Sequence, residues 1–227
     1  MRALRFFVLL CSAILACAGC AGSLPRPDEP LRGLSSTDTA VTCQVIEVVP
    51  SGKKIFQAVL TGWAYDKGAW RKTLGPWPAV IGRGGLAPVG EKREGDGRTP
   101  SGVYRIGTAF GTEDLPDTEW AYRRTTDADI WIDDAGSPQY NQWAALPTSA
   151  ASYEKMRRDD GLYDLAAVIE YNTNPVVPGY GSAIFLHIWR ADGTQPTAGC
   201  VAIERKRMRR LLGWLSEERA PVIFLHE

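Results

Sequence analysis

Along most of the chain, apolar residues recur in runs of four to seven broken by Gly, Pro, Ser and Asp, the pattern of short β-strands. Residues 44–49 and 54–60 form one such pair. Between them Pro50-Ser51-Gly52-Lys53 supplies turn chemistry, so the pair reads as a hairpin. Residues 70–74, 79–82, 103–106, 130–132, 166–171 and 222–225 continue the series, and no helix of any length is expected before about residue 150. Residues 152–160, ended by Gly161, are expected to form a short helix. A second helix follows from Met208, Leu211, Leu212 and Leu215, which recur at helical spacing. Residues 183–189 are nearly all apolar, the mark of a strand buried on both faces. The loop 172–181, with two Pro and two Gly, delivers the chain into that strand. The fold class expected is mainly β with a few short helices.

The N-terminus has a different pattern. Arg2 and Arg5 precede an apolar run, residues 6–16, too short to span a bilayer but of the length of a signal-peptide core. Small residues then lead to cysteine, which resembles a bacterial lipobox. Cys20, preceded by Ala18-Gly19, fits best as a lipidated residue. Ile14-Leu15-Ala16-Cys17 offers a second candidate, and plain signal-peptidase cleavage is the alternative. Residues 21–39, rich in Ser, Pro, Gly, Asp and Arg and without apolar periodicity, read as a flexible linker. The organisation expected is therefore a lipoprotein-type signal segment at 1–20, that linker, and one domain at 40–227, exported to the periplasm or cell envelope.

Composition narrows the function classes. With 227 residues, 44% hydrophobic content and 8 Trp, the chain can bury one substantial core. A net charge of +0 leaves no electrostatic footprint for nucleic acid, and the basic run Glu204-Arg205-Lys206-Arg207-Met208-Arg209-Arg210 reads as a solvated helix face. Gly82-Arg83-Gly84-Gly85 lacks the Lys-Ser/Thr of a phosphate loop and reads as a turn. The loop 92–102, with Lys92, Arg93 and Arg98 among its cations, either shapes a site or simply joins two strands. Asp133-Asp134 invites a paired-carboxylate reading, but adjacent strand residues point to opposite faces, so a loop cap is the better one. Trp120, Trp131, Tyr140 and Trp143 are assigned to core packing.

The candidate chemistry lies in residues 183–203. His187 is the only internal histidine, and Cys200 follows thirteen positions later in Thr197-Ala198-Gly199-Cys200-Val201. A thiolate is a strong nucleophile, and an imidazole within reach can take its proton and return it. Each residue taken alone has a packing reading, and the spacing fixes no distance. Of five cysteines, Cys11, Cys17 and Cys20 fall in the signal segment. Cys43 and Cys200 could pair, but a disulfide would disable the nucleophile, so both are expected as free or only transiently bonded thiols.

Four blocks, residues 94–104 (EGDGRTPSGVY), 131–141 (WIDDAGSPQYN), 181–187 (GSAIFLH) and 196–203 (PTAGCVAI), together resemble the YkuD-type L,D-transpeptidases, which remodel bacterial peptidoglycan. The resemblance covers about residues 70–226. It implies a compact β-sandwich or barrel-like catalytic domain in which Cys200 takes the acyl group of a stem peptide and His187 activates it. Thr197 is the retained Thr of the motif, and the N–H groups of Gly199 and Cys200 are oxyanion-hole candidates. It further implies substrate contacts from Arg98, Thr99, Tyr171, Asn172, Ser182, Trp189 and Ala198. Many members carry His immediately before Gly-Cys and Arg or Asn two residues after the Cys, where this chain has Ala198 and Ala202.

The implied reaction is a ping-pong acyl transfer from a stem peptide to an amine, as crosslinking or D-amino-acid exchange. With water as acceptor it becomes an L,D-carboxypeptidase or amidase. No cofactor is required, and with only His187 and His226 a two-histidine zinc site is not expected. A papain-like peptidase places Cys before His, the reverse of the order here. A sortase has His, Cys and then Arg, for which Arg205 or Arg207 could be offered, but its Cys motif differs. A peptidoglycan-binding lipoprotein without catalysis is the remaining reading.

Overall fold

The computed structural model describes Leu31, residues 42–115 and residues 118–227. The expected signal segment, with Cys20, lies outside the described residues, as does the expected linker apart from Leu31. That leucine is buried against Val45, Trp70, Val222 and Phe224.

Fourteen strands follow in order: β1 (Gln44–Pro50), β2 (Gln57–Asp66), β3 (Ala69–Val80), β4 (Leu86–Ala87), β5 (Thr99–Pro100), β6 (Gly102–Gly111), β7 (Tyr122–Arg124), β8 (Asp129–Ile132), β9 (Gln142–Ala145), β10 (Tyr153–Lys155), β11 (Ala166–Ile169), β12 (Phe185–Ile188), β13 (Val201–Ile203) and β14 (Val222–Leu225). The helix α1 (Arg205–Leu212) lies between the last two. Nine strands form one sheet in the order β11-β12-β13-β3-β2-β1-β14-β6-β7, and an additional β11–β6 pairing closes it into a barrel. β1 and β2 are the expected hairpin, in register from Gln44↔Ala64 to Pro50↔Ala58. A separate sheet, β10-β8-β9, stands apart from the barrel ladder.

Strand alternation divides the apolar residues between two layers. Ile46, Leu60, Ala109, Ala167, Leu186 and Val201 fill the barrel, joined by Met208, Leu211 and Leu212 of α1. The next residues along the same strands, Phe110, Ala166, Val168 and Phe185, turn the other way and pack with Trp131 and Met156. Phe185 meets Phe110, Trp131 and Tyr163 edge-on, at centroid distances of 5.3, 5.2 and 5.5 Å. The core-packing reading of the aromatics holds for Trp131 and Tyr140, which are buried, and for Trp120 and Trp143, which are partly so.

Two expectations about elements are corrected. Residues 152–160 form no helix. Tyr153–Lys155 is a strand paired with β8, Glu154 opposite Trp131, and this pairing outweighs a weak helical preference. The runs 70–74 and 79–82 are parts of one strand, β3, which passes through Gly75-Pro76-Trp77-Pro78. Prolines are tolerated there because β3 pairs with β2 on one side but touches β13 only at Val80, leaving a nearly open edge. A register shift opposite Leu60 and Gly62 absorbs Gly75, whose φ is 78° and whose missing Cβ would fall 2.5 Å from the Leu60 carbonyl oxygen. The basic run on α1 is exposed as expected, and it is also ion-paired: Arg205 with Glu113 and Asp164, Arg209 with Glu113.

Leu186 is fully buried in the barrel while His187, the next residue, faces the outer layer. Leu186→Ala should lower unfolding free energy by about 2 to 5 kcal/mol, measured by denaturant titration.

Candidate active site

β12 and β13 run parallel, pairing His187 with Ala202, so the loop joining them brings Cys200 back beside the start of β12. That loop is held by hydroxyls. Thr197 Oγ1 donates to the Cys200 carbonyl at 2.7 Å and accepts the Gly199 N–H at 3.2 Å. The buried Thr99 Oγ1 donates to the same carbonyl at 3.3 Å and accepts the Gly82 N–H at 2.9 Å. Thr99 therefore positions the Cys loop. Because Gly199 N–H is engaged by Thr197, Cys200 N–H is the remaining oxyanion candidate of the two.

The Cys200 sulfur is buried between two backbone groups. It accepts the Phe185 N–H at 3.3 Å and donates its own proton to the Ala183 carbonyl at 3.3 Å. Ala183 occupies the left-handed region, with φ of 52°. Asn141 fixes it there: its Oδ1 accepts Ala183 N–H at 3.0 Å and Trp131 Nε1–H at 2.9 Å, while its Nδ2 donates to the Tyr171 and Asn172 carbonyls at 3.1 and 2.8 Å. All four capacities of the amide are used.

His187 Nδ1 lies 2.7 Å from the Ile188 carbonyl, which can only accept, so Nδ1 carries the hydrogen and Nε2 is the basic nitrogen. The Tyr163 ring stands edge-on to the imidazole at 5.2 Å. Burial lowers the His187 pKa to about 4, and burial pushes the Cys200 thiol up to about 12. The resting pair is thus thiol plus neutral imidazole, with no ion pair. For His187 the sign follows: its folded pKa lies below the ordinary value, so its contribution to stability is complete above about pH 6.5 and is lost as pH falls through about 4.

Cys200 and His187 line one cavity of about 320 Å³, together with Glu154, Tyr163, Thr197 and Ala198, and with Arg83, Arg158 and Arg190. A smaller arm of about 100 Å³ meets it at Cys200, Ala198, Arg83 and Glu154, and is lined by Lys92, Glu94, Asp133 and Ser182. The loop 92–102 therefore shapes the site through Lys92 and Glu94. The acid pair diverges as adjacent residues should: Asp134 accepts the Gly136 and Ala151 N–H groups, whereas Asp133 lines the arm. Gly82–Gly85 is a turn, closed by Gly85 N–H to the Gly82 carbonyl at 2.9 Å.

Among the expected substrate contacts, Ala198 and Ser182 line the cavity, Ser182 Oγ donating to Glu94 at 2.7 Å. Arg98 is exposed and lines neither arm. Tyr171 donates its hydroxyl to the Tyr180 carbonyl, and Asn172 ties the loop 172–181 through Val177 and Gly181. Trp189 packs against Gly193. Ala202 is fully buried and offers no polar group beside His187. Tyr163, Glu154, Arg158 and Arg83 are cavity residues that sequence reasoning missed. Glu154 was hidden by the expected helix over 152–160, and Tyr163 lies in no motif that would have singled it out.

The expectation that both domain cysteines are free is corrected for Cys43, which is disulfide-bonded; Cys200 is free, so the two are not paired with each other. Among the described residues no group of three or more His, Cys, Asp or Glu is placed to hold a metal ion, and no helix is long and apolar enough to cross a membrane.

The YkuD family model, the L,D-transpeptidase catalytic domain, matches residues 46–224. The match begins within β1, so the first hairpin belongs to the catalytic domain. No curated protein sequence matches. Among solved structures, the helical cell shape determining protein Pgp2 from Campylobacter jejuni is similar at 16% identity and a TM-score of 0.44, over 82% of this chain and 48% of that one. A lysine-to-alanine mutant of the same protein aligns at 16% identity and a TM-score of 0.41, over 82% and 50%. The chain spans about half the length of these solved proteins.

A thiol raised by burial should alkylate slowly at neutral pH. Iodoacetamide labelling of Cys200, followed by intact mass, is expected to accelerate by about tenfold per pH unit from 7 to 10. A plateau near pH 7 would contradict the neutral resting pair.

Proposed function

The chain belongs to the YkuD family of L,D-transpeptidase catalytic domains, and from that premise we propose that it transfers the acyl group of a peptidoglycan stem peptide, through Cys200, to an amine acceptor. The observation that carries this reading is the single cavity shared by Cys200 and His187, with the basic Nε2 of the imidazole left free by the Nδ1 bond to Ile188. Arg83 lines the cavity as well, with Arg158 and Arg190, which are ion-paired with Asp160, and offers a cation to the carboxylates of a stem peptide.

In the first half-reaction the Cys200 sulfur attacks the carbonyl of an L-centre at an L,D-peptide bond. Because the thiol lies high and the imidazole low, proton transfer to His187 accompanies C–S bond formation rather than preceding it. The Cys200 N–H is the donor this reading assigns to the developing oxyanion, a contribution of about 2.7 to 4 kcal/mol for a well-aimed donor. The tetrahedral intermediate then collapses, expelling the terminal D-residue, whose nitrogen takes the proton back from His187. An amine attacks the resulting thioester in the second half-reaction. Attack by water instead gives an L,D-carboxypeptidase.

Family membership supports peptidoglycan peptides as the substrate. A lipid on Cys20 would hold the domain at the membrane bordering that substrate.

Wild-type and Cys200→Ala proteins incubated with purified tetrapeptide muropeptides should differ by mass spectrometry. A Cys200-dependent dimer marks transfer, and loss of one D-amino acid with gain of water marks hydrolysis. Identical products from the two proteins would overturn the enzyme reading. For the anchor, metabolic labelling with an alkyne fatty acid should tag wild type in the membrane fraction and fail with Cys20→Ser. Undiminished labelling of that variant would reject Cys20.

A further inference from the structure

If Cys200 forms a thioester, the second half-reaction needs an agent that the residues above do not supply. An alkyl amine in water is an ammonium ion, with a reference pKa of about 10.4 for a lysine-like group, and has no lone pair until a proton is removed. His187 Nε2 is free again once the D-residue has left, but it takes only one of the two protons that an ammonium must lose to become an amide.

The smaller arm has the chemistry for the task. Its carboxylates are Glu94, Asp133 and Glu154, and its cations are Arg83 and Lys92. Lys92 Nζ is engaged by Asp96 at 2.7 Å and by the Arg93 carbonyl at 2.6 Å, and Arg83 donates to the Gly95 carbonyl at 3.2 Å. Glu94 Oε2 is taken by the Tyr140 and Ser182 hydroxyls. Asp133 Oδ1 is a buried oxygen without a hydrogen-bond partner among the described residues. Glu154 differs from both, as the one carboxylate that lines both the arm and the cavity holding His187. Its Oε2 accepts the Tyr163 hydroxyl at 2.6 Å, and its Oε1 accepts no hydrogen bond among the described residues. The arm, of about 100 Å³ against about 320 Å³ for the larger cavity, is the narrower of the two.

We propose that Glu154 is the general base of the second half-reaction, receiving a primary alkylammonium through the smaller arm and deprotonating it beside the Cys200 thioester. The inference rests on the acyl-transfer reading. Burial raises the Glu154 carboxyl, against the Tyr163 hydroxyl and Arg158, and Asp133 and Glu94 add to the rise; each brings its basicity closer to that of an amine. In the step, Glu154 takes one proton from the ammonium. The freed nitrogen pair forms the C–N bond, and the C–S bond breaks with its electrons going to sulfur. The second nitrogen proton passes through His187 Nε2 to the Cys200 thiolate. Glu154 then releases its proton to water, so that ammonium and thioester yield amide, thiol and one proton.

The test uses the full chain and a tetrapeptide muropeptide as both donor and acceptor. Glu154→Gln, its folding checked by circular dichroism, should still release the terminal D-residue in the first turnover. Its ratio of dimer to hydrolysed tripeptide should fall by about a hundredfold. Glu154→Asp, which keeps a carboxylate, should recover most of that ratio. An unchanged ratio in Glu154→Gln, or an equal fall in dimer, tripeptide and first-turnover release, would overturn the assignment. A wild type that makes only tripeptide would also overturn it while leaving cysteine acyl chemistry standing. A wild type with no Cys200-dependent product removes both.

Discussion

An imidazole and a thiol enclosed between a β-barrel and a covering sheet stay neutral, because desolvation penalises charge on either and no opposite charge bonds directly to either atom. The surrounding construction answers to that constraint. Backbone groups take the hydrogen bonds that counter-ions would otherwise take: Ala183 carbonyl and Phe185 N–H for the sulfur, Ile188 carbonyl for the ring. The edge-on aromatics around Phe185 keep the layer dry and give the ring neighbours without charging it. A nucleophile kept in this form is quiet until a substrate carbonyl arrives to share its electrons.

Charge instead collects around the two chambers, and each carries both signs. Glu154, Arg83, Arg158 and Arg190 line the larger, and Glu94, Asp133, Glu154, Arg83 and Lys92 the smaller, with Cys200 common to the two. Low-dielectric walls focus the field of these charges on a bound peptide. The methyl groups of Ala198 and Ala202 contribute nothing to this field, so selectivity near the nucleophile falls to residues carried by β10, by the loop 92–102 and by the turn at Gly82.

Much of the fold was legible in the pattern of short apolar runs, because strands buried on one or both faces leave a local trace. The hairpin of β1 and β2, the buried run of β12 and the apolar stripe of α1 are all read directly from spacing. The order of His187 and Cys200, and the blocks around them, carried the family. What stayed hidden was set by contacts remote in sequence. Tyr153–Lys155 becomes a strand only because β8 is there to pair with it, and this concealed Glu154. The resemblance implies Thr99 as a substrate contact, but its hydroxyl is consumed in holding Gly82 and Cys200. Tyr171 and Asn172 are likewise spent on loop structure. Barrel closure through β11 and β6 left no local sign in either strand.

Asn141 links these levels. It stands 42 residues before Ala183, yet its amide holds the backbone whose carbonyl receives the Cys200 proton, and it also holds the start of the loop 172–181. The requirement is for an amide and not for its shape. An aspartate of the same size would accept as Asn141 does on one side but would present oxygen to the Tyr171 and Asn172 carbonyls on the other, trading two attractions for repulsion. Spontaneous deamidation performs that exchange without any change in the gene. Ageing of this one side chain would therefore loosen the nucleophile's seat while leaving both reactive residues chemically intact.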